Sequence, residues 1–262
     1  MSEENAVLYS VDNHVALISL NRPKKLNTSS RALRADLGKA IKAAEADDDV
    51  RVVVFTGEGR AFAAGADLNE SFTDDHNTVT EHLHKDHKPL IDAIRAAKKP
   101  FIAALHGATA GVNIAYALAC DLIIMSENAF LLSPFSNIGL IPDGGTSWFL
   151  MSRLGRHRAY QMIIESDRLT SAQCLEYGIA NKVVPDDGLR NAALDWANAL
   201  AHDRPPLVMR YAKQVLNNIE DNAYNNAFDI EAKLQNSCVT SNDAREGISA
   251  FLEKRKATFT GT

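Results

Sequence analysis

The sequence predicts an α/β protein with a parallel sheet, and three observations carry that expectation. Continuous apolar runs of strand length occur at Val52-Val53-Val54-Phe55, Phe101-Ile102-Ala103-Ala104-Leu105 and Leu122-Ile123-Ile124-Met125. Runs of this kind, without alternation, mark strands covered on both faces. Stretches with helical spacing lie between them, over 78–97 and 111–119, and strands alternating with helices build parallel sheet. Hydrophobic residues make up 46% of the 262 and charged residues 23%, a composition that supports a sizeable core and argues against general disorder.

The first element is a β-hairpin. Ala6-Val7-Leu8-Tyr9 and His14-Val15-Ala16-Leu17-Ile18-Ser19-Leu20 flank Asp12-Asn13, and Asn21-Arg22-Pro23 breaks the second strand. A helix follows over 29–46, with Leu33, Leu37, Ile41 and Ala44 on one face, Asn27-Thr28-Ser29 offering caps, and Asp47-Asp48-Asp49 ending it. The buried strands and intervening helices come next. Beyond residue 186 no strong strand pattern remains. Leu189, Ala193, Trp196 and Leu200 mark one helical face, Val208, Tyr211 and Val215 a second, and Ala227, Ile230, Leu234 and Cys238 a third, with Arg204-Pro205-Pro206 punctuating the first two. The division expected is an α/β core over 1–185 and a helical region over 186–262. Helices with several apolar faces pack either on another subunit or on their own core, and the pattern favours neither.

Charge and cysteine content narrow the function classes. The formal charge of −5 is unfavourable for general nucleic-acid binding. Cys120, Cys174 and Cys238 are odd in number and far apart, so neither a disulfide framework nor a metal-binding pair is expected. The N-terminal residues lack a basic stretch followed by an apolar one, and Phe-Thr-Gly-Thr at the other end is no peroxisomal address. No window reaches the roughly 18 apolar residues of a spanning helix. The expectation is a cytoplasmic protein that meets neither membrane nor nucleic acid.

Chemistry is expected in three loops. Gly57 to Leu68 follows a buried strand and is rich in Gly and Ala, which let a backbone approach a ligand and expose its N–H groups; the same composition also makes a plain tight turn. It matches no dinucleotide or phosphate-loop fingerprint. His106-Gly107-Ala108-Thr109-Ala110-Gly111-Val112-Asn113 follows another strand and runs into a helix, whose start presents unpaired N–H donors. One donor from each loop would make an oxyanion hole. In the third loop, Phe135 to Thr146, Asp143 is the one carboxylate in an apolar, Gly-rich stretch. It is either a general base whose pKa burial would raise, or a cap for the helix that starts at Gly144-Gly145-Thr146.

These segments, taken with Asn21-Arg22-Pro23-Lys24-Lys25-Leu26-Asn27 and Phe251-Leu252-Glu253-Lys254-Arg255-Lys256, resemble the crotonase (enoyl-CoA hydratase/isomerase) superfamily. The motifs match in order across essentially the whole chain. The resemblance implies a spiral of ββα repeats with a C-terminal helical trimerisation region, hence a homotrimer or homohexamer. It implies an acyl-CoA thioester as substrate, with coenzyme A part of the substrate and no separate cofactor or metal. The oxyanion amides fall on Ala66 and on Val112, directly after Gly111. Ala64, Asp67 and Leu68 match the segment that holds the adenine end of CoA. Lys24 or Lys25 matches a region near the CoA phosphates, and Leu26 beside them is expected at the CoA. Lys254 resembles a lysine that reaches a neighbouring subunit's CoA, and Phe251 a residue that closes over ligand. Each lysine also reads as plain solvated charge.

The departures from the family pattern point to the reaction. Hydratases of the superfamily hold a water between two glutamates. Here those positions are Ala115 and Phe135, the latter after Pro134. Water addition needs both proton transfers and is poorly supported without those carboxylates. Asp143 instead resembles the single base of the branch holding 3-enoyl-CoA to 2-enoyl-CoA isomerases and ring-rearranging phenylacetyl-CoA isomerases. The expected activity is therefore a double-bond shift through an enolate. The competing readings are a hydratase or CoA-thioester hydrolase, and a non-catalytic CoA-thioester or RNA binder. Asn113 replaces a usual small residue and either contacts substrate or bonds locally. His76, His82, His84 and His87 with Glu81 match no metal spacing and read as a solvated segment over the acyl pocket.

Overall fold

The structure is a computed structural model and describes residues 5–68, 70 and 78–260. Its elements are β1 (Val7–Asp12), β2 (Val15–Leu20), α1 (Arg31–Ala46), β3 (Val52–Gly57), β4 (Ala63–Ala64), α2 (Val79–His82), α3 (Lys88–Ala96), β5 (Phe101–Leu105), β6 (Ala108–Ala110), α4 (Asn113–Leu118), β7 (Leu122–Ser126), β8 (Phe130–Leu132), α5 (Thr146–Glu165), β9 (Arg168–Thr170), α6 (Ser171–Glu176), β10 (Lys182–Val184), α7 (Leu189–Asp203), α8 (Pro206–Val239) and α9 (Asn242–Glu253). A single π-turn, Leu83–His87, joins α2 to α3.

Two sheets organise these elements. A six-stranded sheet runs β1-β2-β3-β5-β7-β10, antiparallel only at the β1–β2 hairpin. A four-stranded sheet runs β4-β6-β8-β9, with β4, β6 and β8 parallel. Each of β3, β5 and β7 in the large sheet is followed by a short strand of the small sheet and then by helix. That is the ββα repeat the sequence resemblance implied.

The apolar runs read as doubly covered strands are buried on both faces. Val53, Phe55, Phe101, Ala103 and Leu105 point into the main core between sheets and helices. Their alternates Val52, Val54, Ile102 and Ala104 pack instead on Leu189, Ala193, Ala197 and Ala201 of α7. Alternation of side chains along a strand thus feeds two cores from one apolar run.

Three local expectations change. The cap of α1 is Ser30, whose Oγ accepts the Leu33 N–H at 3.2 Å, not the preceding Asn27 to Ser29. The segments read as loops at 57–68 and 106–113 each contain a short strand of the small sheet. The second and third apolar faces of the C-terminal region belong to one helix, α8, and Val208, Tyr211, Val215, Ile230 and Leu234 on it are exposed. What α8 buries is a different row, Tyr224, Phe228, Glu231 and Gln235. Among the described residues no helix is long and apolar enough to cross a membrane.

Candidate active site

The register of the small sheet builds a cavity. Ala64 pairs with Ala110, and Ala110 with Leu132. These residues end their strands, so the chain segments just beyond them emerge side by side. Gly65-Ala66, Gly111-Val112 and Pro134-Phe135 thereby become neighbours at the carboxyl ends of parallel strands and line one cavity of about 170 Å³. Gly111, at φ +58°, comes so close to Gly65 that a Cβ on it would lie 3.2 Å from the Gly65 Cα. Glycine eases both the left-handed conformation and the close approach.

The two expected amides face no competitor. Among the described residues no backbone carbonyl accepts from the N–H of Ala66 or Val112, whereas their neighbours Asp67 and Gly111 donate to Ser29 and Leu132. Val112 immediately precedes α4, whose Ile114 and Ala115 N–H groups donate back to the Gly111 and Val112 carbonyls, both at 3.0 Å. Asn113 clamps the two loops: its Nδ2 donates to the Gly65 carbonyl at 3.0 Å, and the residue is wholly buried. Of the two roles read from the sequence, the local bond is present through Nδ2, while Oδ1 is enclosed without a partner.

The third loop brings in the carboxylate. Gly144, at φ +68°, packs against the second loop so closely that a Cβ would lie 2.8 Å from Val112 Cγ2 and 3.6 Å from Ala115 Cβ. Asp143 is therefore delivered beside Val112 and lines the cavity. Its Oδ2 accepts from Gln235 Nε2 at 3.2 Å, while Oδ1 is enclosed and unpartnered. Burial pushes the carboxyl up from 3.8 to about 7, against the opposing pull of the Gln235 hydrogen bond.

Asp143 does not cap α5 with its side chain. Glu231 of α8 does so from outside: Gly145 N–H donates to Oε2 and Ser147 N–H to Oε1, both at 2.6 Å. Burial raises Glu231 to about 8, with the Asp143 charge adding to the rise and the two N–H donors opposing it. One carboxylate satisfies the helix start, and the other is left for the cavity.

The remaining expected residues separate into three groups. Ala64, Leu68, Phe135 and Phe251 line the cavity with Ala66, Gly111, Val112 and Asp143. Lys24 and Lys25 stand exposed on a short 3-10 turn, tied to the cavity rim because the adjoining Leu26 carbonyl accepts the Ala64 N–H at 3.0 Å. Lys254 is exposed just after α9, three residues beyond Phe251. Asp67, expected against the ligand, is buried and pairs with Arg22 at 2.8 Å, so its carboxylate fastens the first loop to the N-terminal segment. Asn27 does similar work: Oδ1 accepts the Arg22 N–H at 2.8 Å, and Nδ2 lies 2.9, 2.9 and 3.1 Å from the carbonyls of Glu58, Ala61 and Phe62.

The histidine segment differs from its solvated reading. His82 and His87 are buried and line the cavity, while His84 stays partly exposed beside Asp229; His76 lies outside the described residues. Among the described residues no cluster of His, Cys, Asp or Glu is arranged to hold a metal. Gln235 and Glu231 escaped sequence reading, yet a signal exists. Tyr224, Phe228, Glu231 and Gln235 recur at helical spacing, so two polar residues lie on the inward row.

Comparison with known proteins gives one consistent result. The family model described as enoyl-CoA hydratase/isomerase matches residues 10–262. The 1,2-epoxyphenylacetyl-CoA isomerase of Escherichia coli K12 is 35% identical over 258 residues, covering 97% of this chain and 98% of the relative. The 2,3-dehydroadipyl-CoA hydratase of the same organism is 33% identical over 255 residues, covering 97% and 98%. A crystal structure of an enoyl-CoA hydratase from Mycobacterium avium subsp. paratuberculosis K-10 superposes with a TM-score of 0.86 at 31% identity, covering 97% of this chain and 98% of that one.

Proposed function

This chain belongs to the enoyl-CoA hydratase/isomerase family, and from that premise we propose that it is an acyl-CoA double-bond isomerase with Asp143 as its single base. The observation that carries the reading is that Asp143 is the only carboxylate among the described residues lining the cavity. It is buried beside Val112, and burial tunes it to about 7. Relatives named hydratases and isomerases both occur, so the choice rests on the site. The positions where the superfamily's hydratases carry glutamates hold Ala115, wholly buried, and Phe135.

The step balances with one carboxylate and needs no separate cofactor. The thioester oxygen of a 3-enoyl-CoA accepts from the N–H groups of Ala66 and Val112, which acidifies C2. Asp143 takes the C2 proton, and the electron pair moves into an enolate whose oxygen the same amides stabilise. The protonated carboxyl then delivers its proton to C4, leaving the double bond between C2 and C3. A carboxylate near neutrality suits both halves of the exchange, because it must accept and release the same proton. Gln235 holds one oxygen and leaves the other to work.

Lys24 and Lys25 at the rim, with Lys254, supply positive charge for the CoA phosphates in this reading, and Leu26 helps to frame the first loop. The exposed apolar row of α8 is assigned to association of copies of the chain into a trimer or hexamer. A cytoplasmic location suits an enzyme of CoA thioesters.

The deciding assay presents 3-enoyl-CoA and 2-enoyl-CoA separately to the pure protein and to Asp143→Ala. Conversion of the 3-enoyl to the 2-enoyl thioester that disappears in the variant is the expected result. Rapid water addition to the 2-enoyl thioester instead would overturn the isomerase reading.

A further inference from the structure

The wall of the cavity is chiefly apolar, yet it contains two imidazoles that the proposed proton shift does not use. His87 is 2% exposed and ends the single π-turn between α2 and α3. One-turn π-bulges concentrate at functional sites. The ring of His87 stacks on Tyr116, with centroids 5.9 Å apart and planes 19° apart, and Nδ1 lies 2.7 Å from the Tyr116 hydroxyl. The side chain is further fixed by neighbours. His82 lies edge-on to it at 5.1 Å and pairs with Asp86 at 2.9 Å, and Asp86 pairs with Arg34 at 3.4 Å.

Nε2 of His87 is the atom left over. Among the described residues no group pairs with it, and it is not among the sealed unpartnered atoms, so it faces the cavity that the ring lines. Burial, with the charges of Arg34 and His82, holds the imidazole well below 6.5 and hence neutral. A neutral imidazole whose Nδ1 is engaged presents either one N–H or one lone pair at Nε2. A hydrocarbon acyl chain would cover that nitrogen and leave it unsatisfied, a cost that an oxygen-bearing chain avoids. The cavity, at about 170 Å³, is close in size to one of about 150 Å³ that accepts benzene.

We propose that His87 Nε2 is a recognition point for an oxygen carried by the acyl group, so that the substrate class is a short or cyclic oxygenated acyl-CoA. This rests on reading the cavity as the acyl site. The oxygen is a hydroxyl, carbonyl or ether placed away from the thioester, and its hydrogen bond to Nε2 replaces water that a plain chain displaces without compensation.

The test uses thioesters that cannot isomerise. Binding of hexanoyl-CoA is compared by titration calorimetry with that of 4-, 5- and 6-hydroxyhexanoyl-CoA, on the wild type and on His87→Phe. At least one hydroxylated thioester is expected to bind about tenfold or more tightly than hexanoyl-CoA. In His87→Phe that advantage falls below about twofold while hexanoyl-CoA binds at least as well as before. Hexanoyl-CoA matching every hydroxylated form in the wild type overturns the proposal, as does an advantage that survives in the variant. The wild-type comparison decides even if the variant does not fold. Failure of all four to bind would overturn the acyl-site reading itself, and Asp143-dependent turnover is read independently of either.

Discussion

Asp143 is charged in the folded protein only at an energetic cost, and the sign of that cost can be worked out. The unfolded carboxyl titrates near 3.8 and the folded one near 7, so between these values the native state holds a proton that the unfolded chain has released. Stability from the protonated, buried carboxyl is fully present below about pH 4 and lost as pH rises through 7, by at most about 4 kcal/mol. Glu231, raised in part by the Asp143 charge, acts in the same direction. Asp143→Asn is therefore expected to unfold at a higher temperature than wild type at pH 8 but not at pH 4, while losing on the order of 10³-fold in isomerisation. Equal midpoints at both pH values would contradict the burial argument. The acid limb of kcat/KM should inflect near 7. In Gln235→Leu, which removes the hydrogen bond that lowers this pKa, the inflection should move upward, as pH–rate profiles of the two proteins would record. Asp143 was legible in the sequence because it is an isolated carboxylate among glycines and apolar residues. Its partner was not, because an amide in the middle of a long helix carries no local mark; only the tertiary fold brings Gln235 to the third loop.

Helix α5 begins at two glycines and has no cap of its own, so its start depends on α8. Removing the Glu231 carboxylate leaves the N–H groups of Gly145 and Ser147 buried without acceptors. Glu231→Ala is expected to cost about 2–4 kcal/mol, and Glu231→Gln, which keeps one acceptor oxygen, clearly less. Urea denaturation midpoints of the two variants would settle the order. Legibility among the elements follows length and burial. β3, β5 and β7 were readable because runs of four or five consecutive apolar residues at strand length mark a doubly covered strand. The strands of the small sheet were not, since two or three residues show no period and exist as strands only through pairing with one another. Yet those short strands, through their register, place Ala66, Val112 and Phe135 around one cavity. Asp67 and Asn113, polar residues of the two ligand loops, clamp those loops, because a loop rich in small residues needs side-chain bonds to hold its shape. Residue type in a motif does not distinguish the two uses.

At the scale of the whole molecule, α8 has two unlike sides. Val208, Tyr211, Val215, Ile230 and Leu234 lie outward, with Ile219 76% exposed, while Glu231 and Gln235 reach the site from the inner side. A row of large apolar residues of this extent suits burial against another copy of the chain. If so, light scattering should give a mass that is a multiple of 28.6 kDa for the wild type and a value near 28.6 kDa for Ile219→Glu combined with Val215→Glu. A monomeric wild type would refute the assignment. The helical apolar pattern was visible in the sequence, but which way it faced was not, since a helix facing a neighbour and a helix facing its own core have the same period. The bifunctional geometry of α8 also has a kinetic consequence. An enzyme whose base is steadied by a helix that neighbouring copies brace should lose turnover per molecule when diluted. Its progress curves should then start with a lag that shortens as protein concentration rises.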